Sequence, residues 1–126
     1  MSRASFFDLV INTRYNQKMY YSTRDRGYAR DAREYEYRLK GEISAGQAWI
    51  DANPQLAQQQ GSRLSFFRLV KQMCYYQQQW YDTHDRQYLL SSIELEKRVD
   101  AEIPNEYAQL DIADQRYNRY IKALSS

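Results

Sequence analysis

With 126 residues, 18 basic and 16 acidic, the chain is the length of one ordinary domain, too short for two globules with generous cores. It is also too nearly neutral to carry the footprint of a dedicated nucleic-acid binder. A single cysteine, Cys74, excludes an internal disulfide and a cysteine-based zinc site, and no apolar run approaches the ~20 residues that span a bilayer, so a soluble chain in the reducing cytoplasm is expected.

Thirteen tyrosines dominate a 15% aromatic content at a mean hydropathy of −0.89, which predicts an amphipathic core whose hydroxyls need partners. Four glycines and two prolines speak against a turn-rich all-β chain. The strongest feature is internal: residues 5 to 43 recur without a gap at residues 65 to 103. From Ser5/Ser65 and Phe6/Phe66 through Gln17/Gln77, Asp25/Asp85 and Glu36/Glu96 to Ile43/Ile103, 17 of 39 positions are identical. Unrelated segments of average composition would share roughly two or three. The expected fold is all-α, one domain over 1–126, with repeat 1 at 5–60 and repeat 2 at 65–124, each a helical hairpin plus a third helix.

Ser5 with Asp8 resembles a capping box and opens the first helix, whose stripe is Phe6, Val10, Thr13, Gln17 and Tyr20/Tyr21; Phe66, Val70, Met73, Gln77 and Trp80/Tyr81 repeat it. A glutamine sits in the middle of each stripe. The favoured reading puts its amide at the stripe edge, in water; the alternative is a buried polar contact that sets helix register. Residues 22–27 and 82–87 carry no apolar side chain, which predicts a tight turn with Ser22 and Asp82 as caps of a second helix over 24–42 and 84–102. The rival is a continuous helix through 5–42, giving long helices in a four-helix antiparallel bundle; ordinary helix lengths favour the hairpin.

The second helix should bury Tyr28, Ala32, Tyr35, Leu39 and Ile43, and its copy Tyr88, Ser92, Leu95, Val99 and Ile103, stopping at Ser44 and Pro104. Beyond those points the copies diverge. Residues 45–52 make a short helix with Trp49 ended by Asn53-Pro54, and Gln55–Gly61 read as a glutamine-rich linker; residues 105–124 make a full helix with Tyr107, Leu110, Tyr117, Ile121 and Leu124.

Phe66, Leu69, Val70, Lys71, Met73, Gln77, Tyr81 and Thr83, followed by Leu95, Glu96, Val99 and Asp100, resemble the short uncharacterised helical proteins common in gut Bacteroidetes and their mobile elements and phages. The resemblance covers both copies, about 78 residues, and departs at Cys74, where such proteins more often carry arginine. It implies a helical unit and no established activity.

No pattern of catalysis, cofactor binding or metal ligation stands out. His84 lies in a polar turn opposite Arg24 of the first copy; Glu34/Glu36 and Glu94/Glu96 are spaced to face different ways; Cys74 reads as a small buried hydrophobe. Asp25-Arg26 and Asp85-Arg86 read as a cap plus a surface ion pair at each hairpin turn. Arg26, Arg30, Arg33, Tyr37 and Lys40 form a basic row on the outer face of the second helix, a candidate face for nucleic acid or an acidic partner, with Asp31 and Glu34 near enough to neutralise part of it. The second copy has Leu90, Ile93 and Lys97 on the corresponding face. Those two aliphatics need cover, either the third helix through Tyr107, Leu110 and Tyr117, which is favoured, or a partner chain. The functional expectation is a non-enzymatic interaction or assembly module, acting on a protein partner or by self-association, without cofactor, membrane or evident small-molecule substrate. The alternative is a small nucleic-acid-binding accessory.

Overall fold

The computed structural model describes residues 2–110 and 115–125, and within them the chain is all-α, without a strand. Six helices follow one another: α1 (Arg3–Thr23), α2 (Arg26–Ala52), α3 (Pro54–Gln58), α4 (Ser62–Thr83), α5 (Arg86–Gln109) and α6 (Gln115–Ser125).

The hairpin prevails over the continuous helix because each turn is closed by its own local chemistry. Arg24 and His84 take left-handed backbone, φ 60° and 55°, and each donates its N–H back to the carbonyl of Tyr20 or Trp80. The next residue reverses the chain: Thr23 Oγ1 accepts from Asp25 N at 3.2 Å, and Asp25 Oδ1 accepts from Gly27 N at 2.8 Å. Thr83 and Asp85 do the same at 3.1 and 2.9 Å. The caps of the second helices are therefore Asp25 and Asp85, not Ser22 and Asp82, whose side chains remain within the preceding helix. No ion pair joins Asp25 to Arg26 or Asp85 to Arg86 among the described residues; the repeated acid acts as a cap alone.

Three expected helix ends move. α1 starts two residues early, capped by Ser2 Oγ accepting from Ser5 N at 3.0 Å. α2 runs through Ser44 to Ala52, so the Trp49 segment is its last turns, and α3 occupies the glutamine-rich linker. α5 carries Pro104 in its interior and continues to Gln109. An internal proline costs about 3 kcal/mol, but Ile103 and Glu106 on either side are buried and hold the helix course. The expected single helix over 105–124 is divided at Leu110, a turn residue; residues 111–114 lie outside the described residues.

The two hairpins pack as an antiparallel four-helix bundle in which α1 neighbours α2 and α5, and α4 neighbours α5 and α2. Across the diagonal α1 and α4 run the same way, since Phe6 meets Phe66 and Phe67 at one end and Gln17 meets Gln77 further along. Phe7, Val10, Ile11, Leu39, Val70, Met73, Val99 and Ile103 form a dry core towards the end away from the turns. α6 lies along α1 in the same direction: the Tyr117 ring sits 5.3 Å from Phe7, Tyr120 is 4.6 Å from Tyr15, and Lys18 Nζ donates to the Leu124 carbonyl at 3.1 Å.

Candidate interaction surfaces

The middle of the bundle is polar. Gln17 and Gln77 donate to each other, Gln17 also to Glu36 at 2.8 Å and Gln77 to Glu96 at 3.1 Å. Beside them Arg14, 6% exposed, grips Asp100 with two hydrogen bonds of 2.8 and 2.9 Å and has Glu96 at 3.5 Å. The glutamines are thus the register-setting polar contact and not edge residues in water. A spacing of two turns Glu36 and Glu96 inward while Glu34 and Glu94 stay exposed, as expected for residues on different faces. Burial lifts the Glu36 carboxyl above the usual range, against the hydrogen bond from Gln17 and the nearby Arg33. Cys74 packs half-buried beside this layer; burial, then the Glu36 charge, pushes its thiol up to about 12, which leaves it a poor nucleophile.

Leu90 and Ile93 are 54% and 37% exposed, with Lys97 exposed on the same face. The expected cover by the third helix is overturned: Tyr107 and Tyr117 pack on Phe7, on the other side of the molecule, because that is where α6 finds an apolar bed. Leu90 instead walls a groove of about 780 Å³ over α4, with Tyr75 and Tyr76 in its floor and Arg68, Lys71, Glu94 and Arg98 around it. Of these Tyr75 is itself 54% exposed.

On α2 the basic row is solvated throughout. Arg26, Arg30, Arg33, Tyr37 and Lys40 are all exposed, Tyr37 at 79%. Asp31 lies 3.6 Å from Arg30, whereas Glu34 is held by Arg38 at 3.0 Å and neutralises a cation outside the row. His84 stays at its turn, its ring edge-on to Trp80 at 5.3 Å.

A further cavity of about 490 Å³ opens at the bundle end away from the turns, between Phe6, Trp49, Ile50, Leu64 and Phe67. One wall is the ion pair of Arg3 with Glu106, in which the guanidinium holds both carboxylate oxygens at 2.9 and 2.7 Å. Gly46 lets the Phe67 ring lie close against α2, since a Cβ there would stand 2.7 Å from the ring and force it to shift. No sequence signal located this cavity, because it is lined by α1, α2, α3, α4 and α5 together. Among the described residues no cluster of His, Cys, Asp or Glu is placed to hold a metal ion, and no helix is long and apolar enough to cross a membrane. Compared with protein-family models, curated proteins and solved structures, the chain matches none.

Proposed function

We propose that this protein is a non-enzymatic helical module for protein interaction or assembly, built on a duplicated hairpin and working through the outer face of α5. The observation that supports the reading is the exposure of Leu90 and Ile93 beside the open, tyrosine-floored groove. Leu90 and the exposed Tyr75 line the same groove and Ile93 follows Leu90 at helical spacing, and exposed apolar side chains grouped in this way are of the kind that marks a contact site. Leu90→Arg with Ile93→Arg tests it. Because Leu90 is 54% and Ile93 37% exposed, an arginine reaches solvent from either position, so the variant should stay folded with a loss of no more than a few degrees in thermal midpoint, while the native mass in solution, or co-purification with the partner, reverts to the lone chain. A variant that unfolds, or one that associates as before, rules the reading out.

The second reading, a nucleic-acid-binding accessory, draws support from the basic row on α2, which spans about 21 Å of helix from Arg26 to Lys40 without an inward-facing member. Changing Arg26, Arg30 and Arg33 to Gln should reduce the salt dependence of binding by close to one unit of slope for each phosphate no longer neutralised. A native protein with no affinity for DNA or RNA at low salt removes this reading.

A further inference from the structure

We propose that the groove over α4 receives an amphipathic helix of a partner protein whose polar edge carries carboxylates. The proposal rests on the interaction-module reading and specifies the partner's chemistry. It starts from what α6 does elsewhere. Laid along α1, α6 places the Tyr117 hydroxyl 3.2 Å from Asp8, which accepts from it, and sets the Tyr120 ring against Tyr15. Ile11, between those two contacts, is fully buried, at 0% exposure. Sixty positions on, the same face of α4 presents Arg68 for Asp8, Lys71 for Ile11 and Tyr75 for Tyr15; its neighbours in the groove are α5 and, through Gln47, whose Oε1 accepts from Lys71 Nζ at 2.7 Å, α2, with no counterpart of α6 among the described residues. The difference shows at the matched positions: Asp8 and Tyr15 are half-buried and Ile11 buried, whereas Arg68 and Tyr75 are exposed and Lys71 half-buried. α3, which follows the first hairpin as α6 follows the second, has five residues, too few to cover this length, and its Ala57 lines the end cavity instead.

The groove has a bed for a helix, then, but with the charge inverted. Arg68, Lys71 and Arg98 share the groove with one carboxylate, Glu94; Lys71 donates to the neutral Gln47 amide, and neither Arg68 nor Arg98 has an ion-pair partner among the described residues. Where Asp8 accepts a hydrogen bond from a hydroxyl, Arg68 offers guanidinium donors, which a carboxylate satisfies in two parallel hydrogen bonds. α6 of a second copy is a poor occupant, since residues 115–125 contain Arg116, Arg119 and Lys122 and no acid. Like charges across the contact disfavour it.

The test uses the full chain, isotope-labelled for amide NMR at low salt, and two peptides of residues 115–125: the native sequence, and the same peptide with Arg116→Glu, Arg119→Glu and Lys122→Glu. The acidic peptide should shift amides of residues 68–75 and 90–98 saturably and bind at least tenfold tighter than the native peptide. Arg68→Glu with Lys71→Glu in the chain should weaken it at least tenfold, and Arg26→Glu with Arg30→Glu should not. Equal binding by the native peptide overturns the acidic-partner proposal and leaves the interaction reading standing. Shifts confined to residues 7–15, meaning exchange with α6, also overturn it, as does tighter binding of a 20-nucleotide oligodeoxythymidine to the same amides. If no peptide binds, the proposal fails; the Leu90/Ile93 variant then decides separately whether the interaction reading fails with it.

Discussion

The side-chain amides of Gln17 and Gln77 hydrogen-bond each other reciprocally across the bundle, at 3.3 Å in one direction and 3.1 Å in the other. Each spends its second N–H on a glutamate of its own hairpin, and Gln17 Oε1 also accepts from Arg14 at 2.7 Å. The pair therefore ties both hairpins together at one fixed height, since sliding either helix by a turn would leave several part-buried polar groups without partners.

Gln17→Leu should accordingly cost about 2–3 kcal/mol, the penalty for stranding the groups it now satisfies. The double variant with Gln77→Leu should cost less than the sum of the two single changes, because the second substitution removes a group the first has already orphaned. Urea denaturation of all four chains completes the cycle, and strict additivity would show that the two amides do not interact.

Glu36 makes the bundle's stability depend on pH. Its folded-state carboxyl binds a proton more tightly than in the unfolded chain, burial being the largest cause. Between the two values the folded state holds more protons, so this group's contribution is fully present below the unfolded value of about 4.5 and is lost as pH rises through the folded one. The groups near it are Gln17, Arg33, Cys74, Tyr81 and Glu96. Glu36→Gln, which keeps a hydrogen-bond acceptor for Gln17, should thus gain stability relative to the native chain as pH rises from 4 to 7. Parallel melting curves over that range check it, and a gap that narrows with pH contradicts it.

Arg14 and Asp100 are a largely buried ion pair, and breaking one differs from replacing it. Asp100→Ala leaves the guanidinium with the Gln17 amide oxygen at 2.7 Å and Glu96, at 3.5 Å, as its one nearby carboxylate, and should cost about 3 kcal/mol or more. Arg14→Met together with Asp100→Leu should recover most of that loss. Urea unfolding distinguishes the two, and a double variant no better than Asp100→Ala would show that the pair contributes more than its desolvation costs.

His84 occupies left-handed backbone that a Cβ disfavours by roughly 1–2 kcal/mol. His84→Gly relieves that strain and removes the packing of the His84 ring on Trp80, so a net gain of about 0.5–1 kcal/mol is expected. A domain of this size should show it as a few degrees in thermal midpoint. A lower midpoint would mean the ring packing outweighs the backbone strain.

What was legible in the chain was whatever acts locally or by period. The second-helix stripes through Ala32, Leu39 and Ile43 and through Leu95, Val99 and Ile103 are buried as the spacing predicts, and the apolar gaps at 22–27 and 82–87 mark the turns, because a helix end is set by its own caps and by having nothing left to bury. Other features depended on which surfaces meet. Whether Gln17 faced water or Gln77 was decided by the diagonal approach of α1 and α4. Pro104 does not stop α5 because buried neighbours on both sides outweigh a local penalty. Leu90 and Ile93 remain uncovered because Phe7, Tyr15 and Tyr107 drew α6 to the opposite groove. In each case the competing arrangements have the same local propensities, so the burial available between distant segments chooses among them, and that burial exists only once the helices have packed.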